Sequence, residues 1–157
     1  MKTTIAALML AMLLIQPVHA APRAGSVAPT AMVLKSEDEV VLLSERVMKA
    51  VARGELDAVY GALKNYATLP AVEIDAGLQQ SKQQRAAPVF AERFGATLGY
   101  EFIDKKKKGQ SMLRLRYIEK TERQPLPWTF HFYLTPHGWV LSEFGWGAQA
   151  AALYDAE

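Results

Sequence analysis

The sequence contains no cysteine. This absence excludes disulfide bonds, thiolate metal sites, a cysteine nucleophile and the lipid anchor of bacterial lipoproteins. A Gly-x-Ser-x-Gly nucleophile elbow and a glycine-rich phosphate loop are also missing. Neither sign of charge dominates, since 18 lysines and arginines against 16 aspartates and glutamates leave a net charge of +2. The chain lacks the strongly basic field typical of nucleic-acid binders, and we predict no nucleic-acid partner.

The N-terminal segment, residues 1–20, has the three regions of a secretory signal peptide. Lys2 supplies the positive charge, residues 5–15 form an unbroken apolar run, and the small residues Val18 and Ala20 precede a cleavage site. An apolar helix of that length spans roughly 16 Å, about half of a bilayer core, which argues against a membrane anchor. We therefore predict cleavage after Ala20 and a periplasmic or secreted protein.

The remaining chain is expected to hold one domain, because 157 residues of which 50% are hydrophobic suit a single packed core. Residues 21–35, with their prolines and alanines, are predicted to be a flexible linker. Residues 36–147 are predicted to form one α+β, cone-like domain, and residues 148–157 a tail. The apolar spacing is helical up to Gly95 and alternates with a period of two afterwards. We expect N-terminal helices packed on a curved four-stranded antiparallel meander.

Local signals set the expected helix boundaries. Ser36 followed by Glu39 is a capping box that starts the first helix, and Gly54 ends it. A long helical stretch begins near Ala71 and is expected to break near Pro88.

The register of the last hairpin follows from its turn. Pro136 cannot adopt the positive φ of the primed turns, so we expect a type I turn closed by a left-handed Gly138 bulge. That turn pairs Thr135 with Trp139. It also produces three cross-strand pairs further along the hairpin, namely Phe130 with Phe144, Trp128 with Trp146, and His131 with Glu143.

The first hairpin is expected to turn at its lysine run. If Lys105–Lys108 and the following glycine form the turn and Asp104 pairs with Ser111, then Glu101 lies opposite Arg114. Both hairpins then have one apolar, aromatic face and one face of complementary charges.

Several short motifs carry a family resemblance. They are Gly99-Tyr100-Glu101, the Arg-x-Arg-Tyr run that starts at Arg114, the aromatic run from Trp128 to Tyr133, and Gly138-Trp139. With the helical first half they resemble the nuclear transport factor 2-like (NTF2-like, cystatin-like cone) superfamily, and in particular its small exported bacterial proteins of unknown function. The resemblance implies a sheet that wraps a long helix and often leaves a cone-shaped cavity. The superfamily's enzymes hold an Asp or His base inside the cone, whereas many other members have no activity and bind ligands or dimerise through the sheet. The resemblance therefore implies one of these two kinds of protein.

The predicted aromatic face is the candidate ligand cavity. Its predicted lining is Tyr100, Tyr117, Glu119, Trp128, Phe130, Ser142, Phe144 and Trp146. Glu119 is the one carboxylate on that face, and we expect water to reach it near the strand end. An isomerase-type site needs a desolvated acid or base against the substrate, and this face offers a weak candidate. We therefore predict no catalytic residue, no cofactor and a module that binds a small apolar ligand or a protein partner.

Two alternatives stay open. One is an isomerase or dehydratase with Tyr100 or Tyr117 as hydrogen-bond donor and Glu119 or His131 as base. The other is a structural homodimer joined through the polar sheet face.

On that polar face we expect two structural pairs. The residues are Glu101, Arg114, His131 and Glu143. The lysine run, consisting of Lys105, Lys106, Lys107 and Lys108, is expected to be a solvated turn or to make weak contact with an anionic membrane or an acidic partner. After signal cleavage His131 and His137 are the remaining histidines, without an acidic cluster at ligand spacing, so no metal site is predicted.

The signal peptide is directly testable. When the chain is expressed in a bacterial host with residues 1–20 in place, export is expected to remove that segment, because signal peptidase cuts after small residues. Intact mass spectrometry of the periplasmic fraction should show a chain that begins at Ala21. Recovery of the full-length chain in the cytoplasm would contradict the assignment.

Overall fold

Four helices precede four strands in residues 31–154, which are the residues that this computed structural model describes, without the side chains of residues 152 and 153. The predicted signal peptide, the first part of the predicted linker and the last three residues of the tail lie outside the described residues. The helices are α1 (Glu37–Ala52), α2 (Leu56–Lys64), α3 (Ala71–Ala86) and α4 (Pro88–Phe94). The strands are β1 (Thr97–Lys108), β2 (Met112–Thr121), β3 (Leu126–Thr135) and β4 (Gly138–Trp146), followed by a short 3-10 helix, Ala150–Tyr154. The strands form one antiparallel sheet in the order β1-β2-β3-β4, which confirms the predicted α+β fold class.

The helix boundaries follow the local signals in the sequence. Ser36 Oγ accepts a hydrogen bond from the Glu39 amide at 3.2 Å, as the capping box predicts. The Glu39 carboxylate, however, accepts from the Lys35 amide at 2.7 Å, one residue before the cap. The expected break also occurs, since Ala87 is extended with ψ 134° and Pro88 is the first residue of α4.

Residues 32–35, which the sequence assigns to the flexible linker, are attached to the domain. The Met32 amide donates to Asn65 O at 2.8 Å, and Leu34 forms an antiparallel bridge with Trp139. Gly138 makes this bridge possible, because a Cβ at that position would lie 2.6 Å from Leu34 O. Leu34 is buried as a result. The ordered domain therefore starts earlier than residue 36.

The last hairpin has the predicted pairing in its middle. Three predicted pairs are confirmed, namely Trp128 with Trp146, Phe130 with Phe144, and His131 with Glu143.

The predicted turn of that hairpin is wrong. Thr135 pairs with Gly138 rather than with Trp139, and the loop holds just Pro136 and His137. No described residue other than glycine has a positive φ, so this tight loop avoids the primed turns that proline forbids.

The extra residue of the hairpin is Ser142. The register shifts between His131 and Phe132, and Ser142 is left as a bulge within β4. Its Oγ donates a hydrogen bond to His131 O at 3.0 Å. Without the bulge, the two-residue turn would place Glu143 opposite Phe130 on the aromatic face. The extra residue shifts the pairing by one position, so Glu143 lies opposite His131 on the polar face.

The first hairpin differs from the prediction throughout. The lysine run belongs to β1, and the turn is made by residues 109–111, so Lys106 lies opposite Arg114. Glu101 lies opposite Ile118, and the predicted Glu101–Arg114 pair is wrong. The physical reason is that β1 carries two register shifts, next to Gly99 and Asp104, which alternation alone does not anticipate.

The core lies between the helices and the inner face of the sheet. α1 packs against β1 and β2 and against α2, and α2 packs against α3. The largest fully buried side chains include Trp128, Tyr117, Phe130, Phe132, Leu43, Met48 and Glu119. A fully buried carboxylate within this apolar set requires partners, and the cation among them comes from α3, the helix with a largely polar sequence.

Candidate functional site: a buried ion pair beside an apolar groove

Helix α3 turns a largely polar stripe toward the sheet. Ile74 and Ser81 are its buried residues, and Arg85 follows Ser81 by one helical turn. Ser81 Oγ lies 2.5 Å from Tyr60 Oη and accepts from Trp146 Nε1 at 3.0 Å. Polar contacts thus attach this helix where an apolar stripe would normally do so.

Arg85 and Glu119 form a two-pronged ion pair under the sheet. Arg85 Nη1 lies 2.9 Å from Glu119 Oε1, and Nη2 lies 2.6 Å from Oε2. Thr97 Oγ1 donates to Oε1 at 2.6 Å, and Trp128 Nε1 donates to Oε2 at 3.1 Å. The Glu119 side chain is 0% exposed and that of Arg85 is 13% exposed. Four hydrogen bonds from three side chains therefore satisfy one buried carboxylate.

These partners keep Glu119 ionised. Burial by itself raises the pKa of Glu119, but the hydrogen bonds and the charge of Arg85, with the hydrogen bonds of Thr97 and Trp128, outweigh burial and hold the pKa of the carboxyl below its usual value. The expectation that water reaches Glu119 is wrong. Arg85 is not among the residues predicted from the sequence, where its one signal is its position four residues after Ser81 in the polar part of α3.

Aromatic rings surround the Arg85 guanidinium. Its Cζ lies 4.7 Å from the ring centroid of Trp146, 5.4 Å from that of Phe90 and 5.9 Å from that of Trp128. Such contacts favour a desolvated cation by up to about 2 kcal/mol each. The guanidinium therefore links α4, β3 and β4 as well as β2.

The two tyrosines of the predicted cavity lie further along the sheet, beside α1. Tyr100 Oη donates to Glu45 Oε2 at 2.7 Å, and burial, together with this bond and the Glu45 charge, raises the pKa of Tyr100 to about 12. Tyr117 Oη is buried and has no hydrogen-bond partner among the described residues. Burial and the Glu45 charge raise the pKa of Tyr117 as well.

The predicted cavity lining is divided between core and surface. Tyr117, Glu119, Trp128 and Phe130 are fully buried in the packed core, and Tyr117 makes an edge contact with Phe130 at 5.9 Å. Three other predicted residues are half-buried near the sheet edge. They are Ser142, Phe144 and Trp146.

An apolar groove lies outside the aromatic rings, between α4 and the end of β4. We call it the α4–β4 groove. It has a volume of about 410 Å³ and is lined by Gln84, Ala87, Val89, Phe90, Arg93, Phe94, Trp146, Gly147 and Ala148. Phe90 and Trp146 are also two of the rings that surround Arg85, so the ion pair fixes two walls of the groove.

The predicted polar pair His131–Glu143 lies on the outer face of the sheet, away from Glu119. His131 Nδ1 is 3.6 Å from Glu143 Oε2, and the two side chains are 33% and 76% exposed. An exposed pair of this kind is a weak contact, and it is remote from the aromatic face.

Neither a cluster of metal-ligand side chains nor a membrane-spanning helix is found in the described part of the chain. Residues 31–154 contain no group of three or more His, Asp or Glu side chains placed to hold a metal ion. Among the helices of that same range, none is both long enough and apolar enough to cross a membrane.

Helices followed by an open four-stranded antiparallel sheet confirm the α+β plan that the sequence periodicity predicts. A similar solved structure is that of an NTF-2-like protein of unknown function from Shewanella oneidensis MR-1. The two chains are 16% identical, with a TM-score of 0.45, and the match covers 70% of this chain and 97% of the other. No family model and no curated protein matches this chain.

Removing Arg85 tests the ion pair. Arg85→Met leaves Glu119 buried without its cation, which is expected to lower the free energy of unfolding by about 3–5 kcal/mol at pH 7. A carboxyl whose folded pKa is lowered stabilises the fold above its unfolded pKa, and this contribution is lost as the pH falls through the folded pKa. In the variant, burial raises the pKa of Glu119 instead, so acid relieves the cost. The difference from the wild type, measured by urea denaturation, should therefore shrink between pH 7 and pH 4.

Arg93→Met is the matched control, because Arg93 is an exposed arginine on α4. Its loss is expected to be below about 1 kcal/mol at every pH. An Arg85→Met loss that is equally small, or that does not change with pH, would contradict the ion pair.

Proposed function

We propose that this protein is a non-catalytic, exported module that binds a small apolar ligand in the α4–β4 groove. The observation that carries the proposal is the state of Glu119, whose two oxygens accept four hydrogen bonds inside the core. Export is inferred from the sequence of residues 1–20 alone.

An acid in this state is a poor general base. A base needs a free lone pair aimed at its substrate and a pKa near the working pH. Glu119 has a lowered pKa, and Arg85, Thr97 and Trp128 donate to its carboxylate. His131, the other candidate base, lies on the outer face of the sheet beside Glu143. These placements favour binding over the isomerase or dehydratase alternative.

The composition of the α4–β4 groove suits an apolar ligand. Its volume of about 410 Å³ falls within the range of small-molecule sites, and its walls are largely apolar and aromatic. Phe90 and Phe94 lie 4.7 Å apart, and Phe90 meets Trp146 edge-on at 6.0 Å. Gln84 and Arg93 add polar groups that would orient a ligand. Because Arg85 holds two of these rings from behind, little ordering energy is needed on binding.

A neutral fluorescent probe tests the groove. N-phenyl-1-naphthylamine is expected to bind and to brighten, and Val89→Glu should weaken its binding by about tenfold or more, since a carboxylate in the groove must be desolvated. Val89 is 66% exposed, so this change should leave the fold intact.

Val72→Glu is the matched control. Val72 is 72% exposed and, like Val89, is the second residue of a helix, but it does not line the groove. Probe binding that both variants reduce equally, or that neither reduces, would contradict the proposal.

A further inference from the structure

The outer face of the sheet carries a second feature, independent of the α4–β4 groove. The lysine run lies in β1, so its side chains alternate between the two faces of the sheet. Lys105 and Lys107 point inward, where both pair with Glu37 of α1 at 2.7 and 2.8 Å. Lys107 also lies 5.9 Å from the Trp139 ring centroid. These two lysines are already used within the fold.

Lys106 and Lys108 point to the outer face. Lys106 lies opposite Arg114, which lies opposite His131 on the next strand. Lys108, two residues further along β1, lies opposite Met112. Lys106, Lys108 and Arg114 thus place three permanent cations close together on the outer face of β1 and β2. This local positive charge is stronger than the net charge of +2 suggests.

These residues line an open cleft of about 390 Å³, which we call the basic cleft. Its lining is Lys106, Lys107, Lys108, Met112, Leu113, Arg114 and His131.

Arg114 is incompletely paired within the fold. Its Nε is buried and has no hydrogen-bond partner among the described residues. Its Nη2 lies 3.8 Å from Asp104 Oδ2, which is too far for a hydrogen bond, and Asp104 is bonded to Arg116 instead. On this side of the cleft the nearby carboxylate is therefore shared between two arginines. The Arg114 side chain is 29% exposed, and the exposed part of its guanidinium, rather than the buried Nε, keeps capacity for an added carboxylate.

We propose that the basic cleft binds an acidic, extended segment of a partner protein, whose carboxylates pair with Lys106, Lys108 and Arg114. Charge complementarity selects an anionic partner. The shape of the site selects a peptide over a lipid surface, because a flat bilayer meets lysine tips but does not enter a cleft to reach Arg114. Met112, 37% exposed, adds an apolar contact that an extended peptide meets with its alternate side chains.

Lysines on the helices supply the control. The probe is a fluorescein-labelled ten-residue peptide of alternating glutamate and leucine, with a lysine–leucine peptide as the opposite-charge comparison. Anisotropy is measured at low and at physiological salt. Lys106→Gln/Lys108→Gln should weaken binding of the acidic peptide by about tenfold. Lys49→Gln/Lys64→Gln on the helices lies outside the cleft lining, makes the same change in net charge and should weaken it by less than about twofold.

Each outcome decides the proposal. Selective loss in the Lys106/Lys108 variant supports it. Equal loss in both variants would show a non-specific field, and no binding of the acidic peptide would also overturn the proposal. Lysine-dependent sedimentation with vesicles of equimolar phosphatidylglycerol and phosphatidylcholine, without peptide binding, would assign the surface to a membrane instead.

Discussion

The ion pair between Arg85 and Glu119 is the contact on which the arrangement of the helices over the sheet depends. α3 has a largely polar sequence and buries few residues, so hydrophobic burial alone does not fix it to the sheet. The guanidinium provides the attachment, because it joins a carboxylate on β2 and lies against rings from α4, β3 and β4. Burying two charges is costly, and the cost is offset here by the two-pronged geometry and by the further hydrogen bonds that Glu119 accepts. Arg85 Nε is buried without a hydrogen-bond partner among the described residues, so the aromatic contacts of the guanidinium also contribute.

The same contact has a consequence for function. A buried carboxylate under a sheet invites a catalytic interpretation, but this one is neutralised by Arg85, accepts four hydrogen bonds and is enclosed by Trp128. The accessible candidate binding surfaces lie elsewhere than at Glu119. The rings that enclose Arg85 form walls of the α4–β4 groove, and the basic cleft lies on the opposite face of the sheet. Stability and binding are therefore linked, since loosening the ion pair would also loosen Phe90 and Trp146.

Alternation and turn chemistry predicted the helices, the four strands and the central pairs of the last hairpin. They did not predict the Ser142 bulge or the two shifts in β1, because the pattern of residue types does not show where an extra residue enters a strand. Contacts from outside the hairpin lie beside the bulge, where the Leu141 amide donates to Tyr66 O and Leu141 O accepts from the Thr68 amide. The lysine run suggested a turn by its charge, although Glu37 makes an inward lysine favourable in a strand. Arg85 was missed for a similar reason, since a lone arginine in a polar helix resembles a solvated residue until its partner on β2 is known.

The ionisation of Glu119 tests the central claim most directly. In protein labelled with ¹³C-glutamate, with the Glu119 resonance assigned by its absence in Glu119→Gln, the carboxyl shift is followed from pH 8 down to the onset of acid unfolding. If Arg85 neutralises Glu119, the resonance keeps the shift of an ionised carboxylate below pH 4.3, the usual pKa of glutamate. A titration centred above that value would show a protonated, unpaired acid under the sheet, and Glu119 would then return as the base of an enzyme.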